Sequence, residues 1–146
     1  MNKEYLSHSL DDLPQLVGEI LEDCVDSKIF VFYGNLGAGK TTLIKTLCHK
    51  LGYHGEVTSP TFSLVNHYKT ADIDIYHMDL YRLKDEEEAL EIGIEEYLYS
   101  GAYCFIEWPQ VIIPLIDEVY YKVQIETLEN LSRKIDIEKC PIIQAT

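Results

Sequence analysis

The sequence predicts an α/β sandwich with a mixed, mostly parallel central sheet flanked by helices. Three observations carry this. The continuous apolar run Ile29-Phe30-Val31-Phe32-Tyr33, rich in β-branched and aromatic residues, reads as a strand buried on both faces. A glycine-rich loop follows, and then Leu43, Ile44, Leu47, Cys48 and Leu51 recur at helical spacing. Further strand and helix patterns alternate to the end of the chain, which is how helices come to cover a sheet.

Taken in order, Leu13, Leu16, Val17, Ile20, Leu21 and Cys24 form one apolar helix face, with Asp11 or Asp12 as cap and Pro14 in the first turn. The helix after the glycine loop closes at Gly52, the residue just past its end. Phe62 to Lys69 and Asp72 to Asp79 read as two strands joined by a tight turn near Thr70-Ala71. In the second, Ile73 and Ile75 share one face, and Tyr76 and Met78 fall on the other. Asp85-Glu86-Glu87-Glu88 opens a helix where carboxylates suit the positive end of the dipole. Gly93 interrupts it, and Ile94 to Tyr99 adds a turn or two. Tyr103-Cys104-Phe105-Ile106 is a second buried strand, ending at Glu107. Pro109 and Pro114 bracket a short irregular or helical piece. Val119, Tyr121, Val123 and Ile125 alternate with polar neighbours as an amphipathic strand, and Ile135 and Ile137 mark a last one.

The chain has 146 residues, 47% hydrophobic and 25% charged, which predicts one domain over 1–146 with a core of its own. No apolar run approaches the roughly 20 residues that span a bilayer. The first residues lack the basic-then-apolar pattern of a signal peptide, so a cytoplasmic location is expected. Lys and Arg number 12 against 25 Asp and Glu, a net charge of −13. That sign opposes direct binding of nucleic acid or an anionic membrane. The four cysteines (Cys24, Cys48, Cys104, Cys140) form no C-x-x-C pair and read as small buried hydrophobes. The five histidines show no helical metal-binding pair and read as solvated or hydrogen-bonded.

Gly34-Asn35-Leu36-Gly37-Ala38-Gly39-Lys40-Thr41 matches G-x-x-x-x-G-K-[ST] in full. It lies between a buried strand and an amphipathic helix, the context the motif needs to act as a phosphate loop. The glycines let successive N–H groups face phosphate oxygens, and the helix start adds its free N–H groups and positive dipole end. Lys40 supplies a mobile charge for the β- and γ-phosphates, Thr41 a hard oxygen for Mg²⁺, and Thr42 a contact to the α-phosphate. The fold class is therefore P-loop NTPase-like. The nucleotide-binding residues are Asn35, Leu36, Gly37, Ala38, Gly39, Lys40, Thr41 and Thr42.

Such a site needs a carboxylate that holds Mg²⁺ or orients water, at the C-terminal end of a neighbouring strand. Glu107 and Asp79 both end predicted strands. Thr58-Ser59-Pro60-Thr61 falls where switch loops of nucleotide hydrolases lie, so Thr61 is a candidate γ-phosphate sensor; an ordinary Ser-Pro turn is the alternative. Arg82 is either a charge stabiliser or a surface ion pair. Trp108 either stacks on a ligand or partner or fills the core.

These segments, in this order and spacing, resemble the bacterial TsaE family (older name YjeE): Gly34 to Thr42, Thr58-Ser-Pro-Thr-Phe-Ser-Leu-Val65, His77-Met-Asp-Leu-Tyr-Arg-Leu83 and Ile106-Glu-Trp-Pro109. The resemblance spans about residues 9 to 138. It implies a role in forming threonylcarbamoyladenosine in tRNA, with ATP and Mg²⁺ bound by this chain and the transfer carried out by TsaD and TsaB. ATP hydrolysis, weak alone, would reset that complex, and the partners would hold the tRNA. By motif, Lys40 and Thr41 serve phosphate and metal, Thr61 is the switch threonine, and Asp79 and Glu107 are the active-site acids, with Glu107 a metal ligand beside Thr41. The chain departs from the family pattern at Asn35, where an acid is usual, and at Gln110, which replaces the last acid of the Glu-Trp-Pro-Glu run.

Two rivals stay open at this stage. One is a nucleotide-gated interaction module with negligible turnover. The other is a small P-loop metabolite kinase, although such enzymes use several arginines in a lid and this chain has Arg82 and Arg133 alone.

Overall fold

A computed structural model describes residues 2–35, 39–60, 63–130 and 132–141. Among the described residues seven strands and four α-helices follow in chain order: β1 (Asn2–Ser7), α1 (Leu13–Asp23), β2 (Ile29–Tyr33), α2 (Lys40–Lys50), β3 (Val65–Lys69), β4 (Asp74–Asp79), α3 (Glu86–Glu91), α4 (Ile94–Leu98), β5 (Tyr103–Glu107), β6 (Tyr120–Thr127) and β7 (Arg133–Cys140). The strands form one sheet in the order β1-β7-β6-β2-β5-β4-β3. Its centre is parallel, β6 to β2 to β5 to β4, and antiparallel strands finish both edges. The sheet is thus mixed and mostly parallel, as the sequence predicts.

Burial follows from the strand pleat. Phe30 and Phe32 of β2 face α1 and α2, where they meet Phe105, Tyr121, Val17, Ile20, Leu43, Ile44 and Leu47. Ile29 and Val31 point the other way, toward Cys104, Ile106, Met78 and the buried Ala89, Ile94 and Leu98 of α3 and α4. A strand with helices on both faces is apolar at every position, which is why β2 reads as a continuous run. The second helix ends as expected. Gly52 adopts φ 106°, its N–H bonds the His49 carbonyl, and the Tyr53 N–H bonds that of Cys48, the paired closure a left-handed residue permits. Gly93 likewise sits at φ 77° between α3 and α4. Cys24, Cys48 and Cys104 are buried and free, and Cys140 is partly exposed.

Several boundaries differ from expectation, each for a local reason. The first hairpin strand starts at Val65, because Leu64 has φ 64° and turns the chain just before it; Phe62 lies outside the described residues. Its partner starts at Asp74, because the Thr70 hydroxyl accepts the N–H groups of Asp72 and Ile73 and holds both in the turn. Asp12 does not cap α1 with its side chain; it accepts the Ser7 hydroxyl and the His8 N–H instead. Ser9 caps a single 3-10 turn, Leu10–Asp12, that runs into α1 with Pro14 in its first turn. β1 has no counterpart in the sequence reading. It is an edge strand that buries only Tyr5 and Ser7, so its apolar signal is a single residue. No helix among the described residues is long and apolar enough to cross a membrane.

Phe105 lies at the centre of the α1–α2 face, fully buried, edge-on to Phe30 at 5.7 Å and to Phe32 at 6.0 Å. Phe105→Ala should destabilise the protein by about 3–5 kcal/mol through lost burial and a residual cavity. Urea denaturation measures this, and a loss below about 1 kcal/mol would contradict the packing described.

Candidate functional site

The parallel centre of the sheet brings the C-terminal ends of β2, β5 and β4 to one edge, where Glu107 is in register with Phe32 on one side and Asp79 on the other. The chain leaving β2 enters α2 at Gly39, which has φ 99°. A side chain there would be strained, and its Cβ would come within 2.8 Å of the Arg133 Nε. Lys40, Thr41 and Thr42 form the first turn of α2. With Gly39, Ser59, Asp79, Glu107, Trp108 and Arg133 they line one open cleft of about 420 Å³.

Glu107 is 3% exposed and His77 fully buried. A carboxylate taken out of water needs hydrogen-bond partners, and among the described residues it has two. The His77 Nε2 lies 2.7 Å from Glu107 Oε2, and the Ser59 hydroxyl donates to the same oxygen at 3.1 Å. The chain of contacts continues both ways. His77 Nδ1 is 3.1 Å from the Tyr68 hydroxyl, and Ser59 Oγ is 3.0 Å from Thr41 Oγ1. With the Ser59 proton given to Glu107, Thr41 donates to Ser59 and keeps its lone pairs for a ligand in the cleft. A line of polar groups therefore runs from β3 through the two acids' strands to the start of α2.

Lys40 is 6% exposed. Its ammonium stands 4.2 Å above the Trp108 ring, and Tyr81 meets that ring edge-on at 4.9 Å. Trp108 has φ 54°, and Leu64, the other non-glycine with positive φ among the described residues, has its carbonyl bonded by the Asp79 N–H. Both left-handed residues thus adjoin the acids, a placement that points to function because such backbone strain persists only where the surroundings hold it. Asp79 accepts the Tyr81 N–H at 3.1 Å. Burial pushes the Asp79 carboxyl above its usual range; the Glu107 charge adds to the rise, while the Tyr81 N–H, His77 and Lys40 oppose it.

Thr41, Asp79 and Glu107 are all hard oxygen donors, the set that suits Mg²⁺ rather than a soft metal. Among the described residues, protein donors engage Oε2 of Glu107 and Oδ1 of Asp79, and none engages the second oxygen of either.

The family described as "Threonylcarbamoyl adenosine biosynthesis protein TsaE" matches residues 7–135. The chain belongs to the TsaE family. A relative from Haemophilus influenzae named tRNA threonylcarbamoyladenosine biosynthesis protein TsaE is 39% identical over 82% of this chain and 76% of its own length. Another of the same name from Rickettsia bellii is 34% identical over 94% of this chain and 95% of its own. The crystal structure of Bacillus subtilis YdiB shares the fold, with a TM-score of 0.73 at 21% identity, covering 97% of this chain and 86% of that one.

Of the residues predicted for the site, Gly39, Lys40, Thr41, Thr42, Asp79 and Glu107 meet in the cleft. Asn35 is exposed and does not line it. Leu36, Gly37, Ala38 and Thr61 lie outside the described residues. Ser59, not singled out in the sequence, reaches Glu107 and Thr41. His77 opens the His77–Leu83 segment, yet the sequence marks it no further than as a solvated or hydrogen-bonded histidine; its spacing of two from Asp79, at the end of the same strand, is the available signal for a shared face. Arg133 carried no local signal, being brought in by β7 from the far end of the chain.

The raised Asp79 pKa has a consequence for stability. A group whose folded pKa is raised stabilises the fold below its ordinary carboxylate range, and that contribution is lost as pH rises through the folded value. At neutral pH the ionised, half-buried Asp79 is therefore a burden. Asp79→Asn should raise the melting temperature of the protein without added ligand near pH 7 by about 1–3 °C, with the gain shrinking toward pH 4. Thermal melts at both pH values test this. A lower melting temperature for the variant at neutral pH would mean that Lys40 and His77 outweigh burial.

Proposed function

We propose that the protein is a Mg²⁺-dependent ATPase that serves threonylcarbamoyladenosine formation in tRNA by acting on a TsaD–TsaB complex, without carrying out the transfer itself. One observation supports this above the others. A helix start bearing Lys40, Thr41 and Thr42, a serine of the following loop, and two strand-end carboxylates surround a single cleft. Family membership supplies the pathway, and the net charge of −13 favours partners as the holders of tRNA.

In this reading residues 34–41 form the phosphate loop and the N–H groups at the start of α2 cradle ATP phosphates. The Lys40 ammonium, held over Trp108, binds β- and γ-oxygens as a point charge. Thr41 and one carboxylate hold Mg²⁺, which when bound neutralises charge on the phosphate oxygens. Glu107 orients the attacking water through its free oxygen, and His77 and Ser59 fix the rotation of the carboxylate. Thr61 acts as the switch threonine. Turnover is expected to be slow for the chain alone and faster with its partners. The second reading is a nucleotide-gated module with negligible turnover. The two part on whether TsaD–TsaB stimulates hydrolysis.

Lys40→Ala should weaken ATP binding roughly 10- to 150-fold, the equivalent of about 1.5–3 kcal/mol of charge-assisted contacts. Calorimetry checks this, and unchanged affinity would remove the phosphate-loop assignment. For Glu107→Gln, which keeps an accepting oxygen for His77 and Ser59, ATP should still bind while hydrolysis with TsaD–TsaB falls about 100-fold or more. Normal turnover by that variant would take Glu107 out of the mechanism.

A further inference from the structure

Arg133 opens β7, where it pairs with Thr127 of β6 and Ser7 of β1. In the sheet it lies two strands from β2, on the side away from β5 and β4 and their acids. Its side chain nevertheless reaches the cleft and lies against the loop that enters α2. A Cβ at Gly39 would meet the Arg133 Nε at 2.8 Å, Cζ at 3.1 Å and Cδ at 3.3 Å. Nε is buried and has no hydrogen-bond partner among the described residues. A buried guanidinium nitrogen without an acceptor is unfavourable, and so is a cation set against Gly39 at the positive end of α2. A polyanion in the cleft relieves both at once. The fork of a guanidinium also suits two phosphate oxygens, where an ammonium offers only a point charge.

We propose that Arg133 is a nucleotide-binding residue that takes the α-phosphate, the end nearest the nucleoside. This rests on the nucleotide reading above and deepens it. The end of the phosphate chain follows from the sheet. The hard-oxygen donors Asp79 and Glu107 stand on the β5–β4 side and mark the γ-phosphate and metal end, so a nucleotide laid across Gly39 and the first turn of α2 turns its α-phosphate toward β7. Gly39 is then required twice, by its own backbone and by the guanidinium that lies on it.

The α-phosphate is common to ADP and ATP, and this makes the proposal separable from a role at the γ-phosphate. Calorimetry of ADP and of ATP should be run on the wild type, Arg133→Gln and Arg133→Lys, with melting curves of the nucleotide-free proteins. For Arg133→Gln we expect roughly 10-fold or greater weakening of both nucleotides by the same factor, with Arg133→Lys between it and the wild type. The nucleotide-free melting temperature should be unchanged or higher, because an unsatisfied buried group has been removed. Unchanged ADP affinity with slower ATP turnover would make Arg133 a γ-phosphate residue and overturn the proposal. Unchanged affinity for both nucleotides would overturn it outright. Equal losses in the Gln and Lys variants together with a lower melting temperature would assign the side chain to the fold alone, and would overturn it also. A wild-type protein that bound neither nucleotide would sink the nucleotide reading itself, an outcome visible before any variant is compared.

Discussion

A carboxylate buried at the end of a strand must be hydrogen-bonded, and much of this site follows from how Glu107 meets that requirement. Its oxygen is satisfied by an imidazole from the neighbouring strand and a hydroxyl from the loop after α2. The imidazole is in turn backed by Tyr68 from β3, and the hydroxyl by Thr41 from α2. The β3–β4 hairpin, the loop at Ser59 and the start of α2 are therefore linked through one oxygen atom. Parallel pairing of β2, β5 and β4 is what lets this happen, because it delivers three strand ends to a single edge.

The same edge holds features that work against stability. Trp108 and Leu64 adopt left-handed backbone, Asp79 is pushed toward its neutral form by burial, and two cations sit close to the positive end of α2. Away from the cleft the protein is packed in the ordinary way, with apolar strands covered by helices on both faces. Strain and unbalanced charge gathered at one place, on an otherwise consistent scaffold, are the pattern expected of a binding site that is completed by an anion.

Charge has a different meaning at the scale of the whole molecule. A surface with 25 acids and 12 bases repels polyanions at long range. The cleft differs from that surface in bringing Lys40 and Arg133 together with Asp79 and Glu107 at the start of α2, in a volume of about 420 Å³, far smaller than a nucleic-acid backbone needs.

The sequence by itself determined the central elements of this fold. β2, β5, α1, α2 and the α3–α4 break were legible because burial on both strand faces, helical periodicity and glycines at positive φ each leave a local mark. The placement of Lys40 at a helix start, and of Asp79 and Glu107 at strand ends, was legible for a related reason, since each marks an element's boundary. Asp12 misled, because its carboxylate found the Ser7 hydroxyl and the His8 N–H rather than the helix end. β1 was silent, because an edge strand with one buried large side chain has little pattern to show. Only the tertiary structure decided that His77 and Ser59 share Glu107, that Trp108 lies beneath Lys40, and that Arg133 reaches Gly39. Those contacts join residues 30, 48, 68 and 94 positions apart, and no local preference of the chain encodes a partner at such a distance. They exist because strand order and register bring the residues to one edge, and strand order is settled by the packing of the whole sheet.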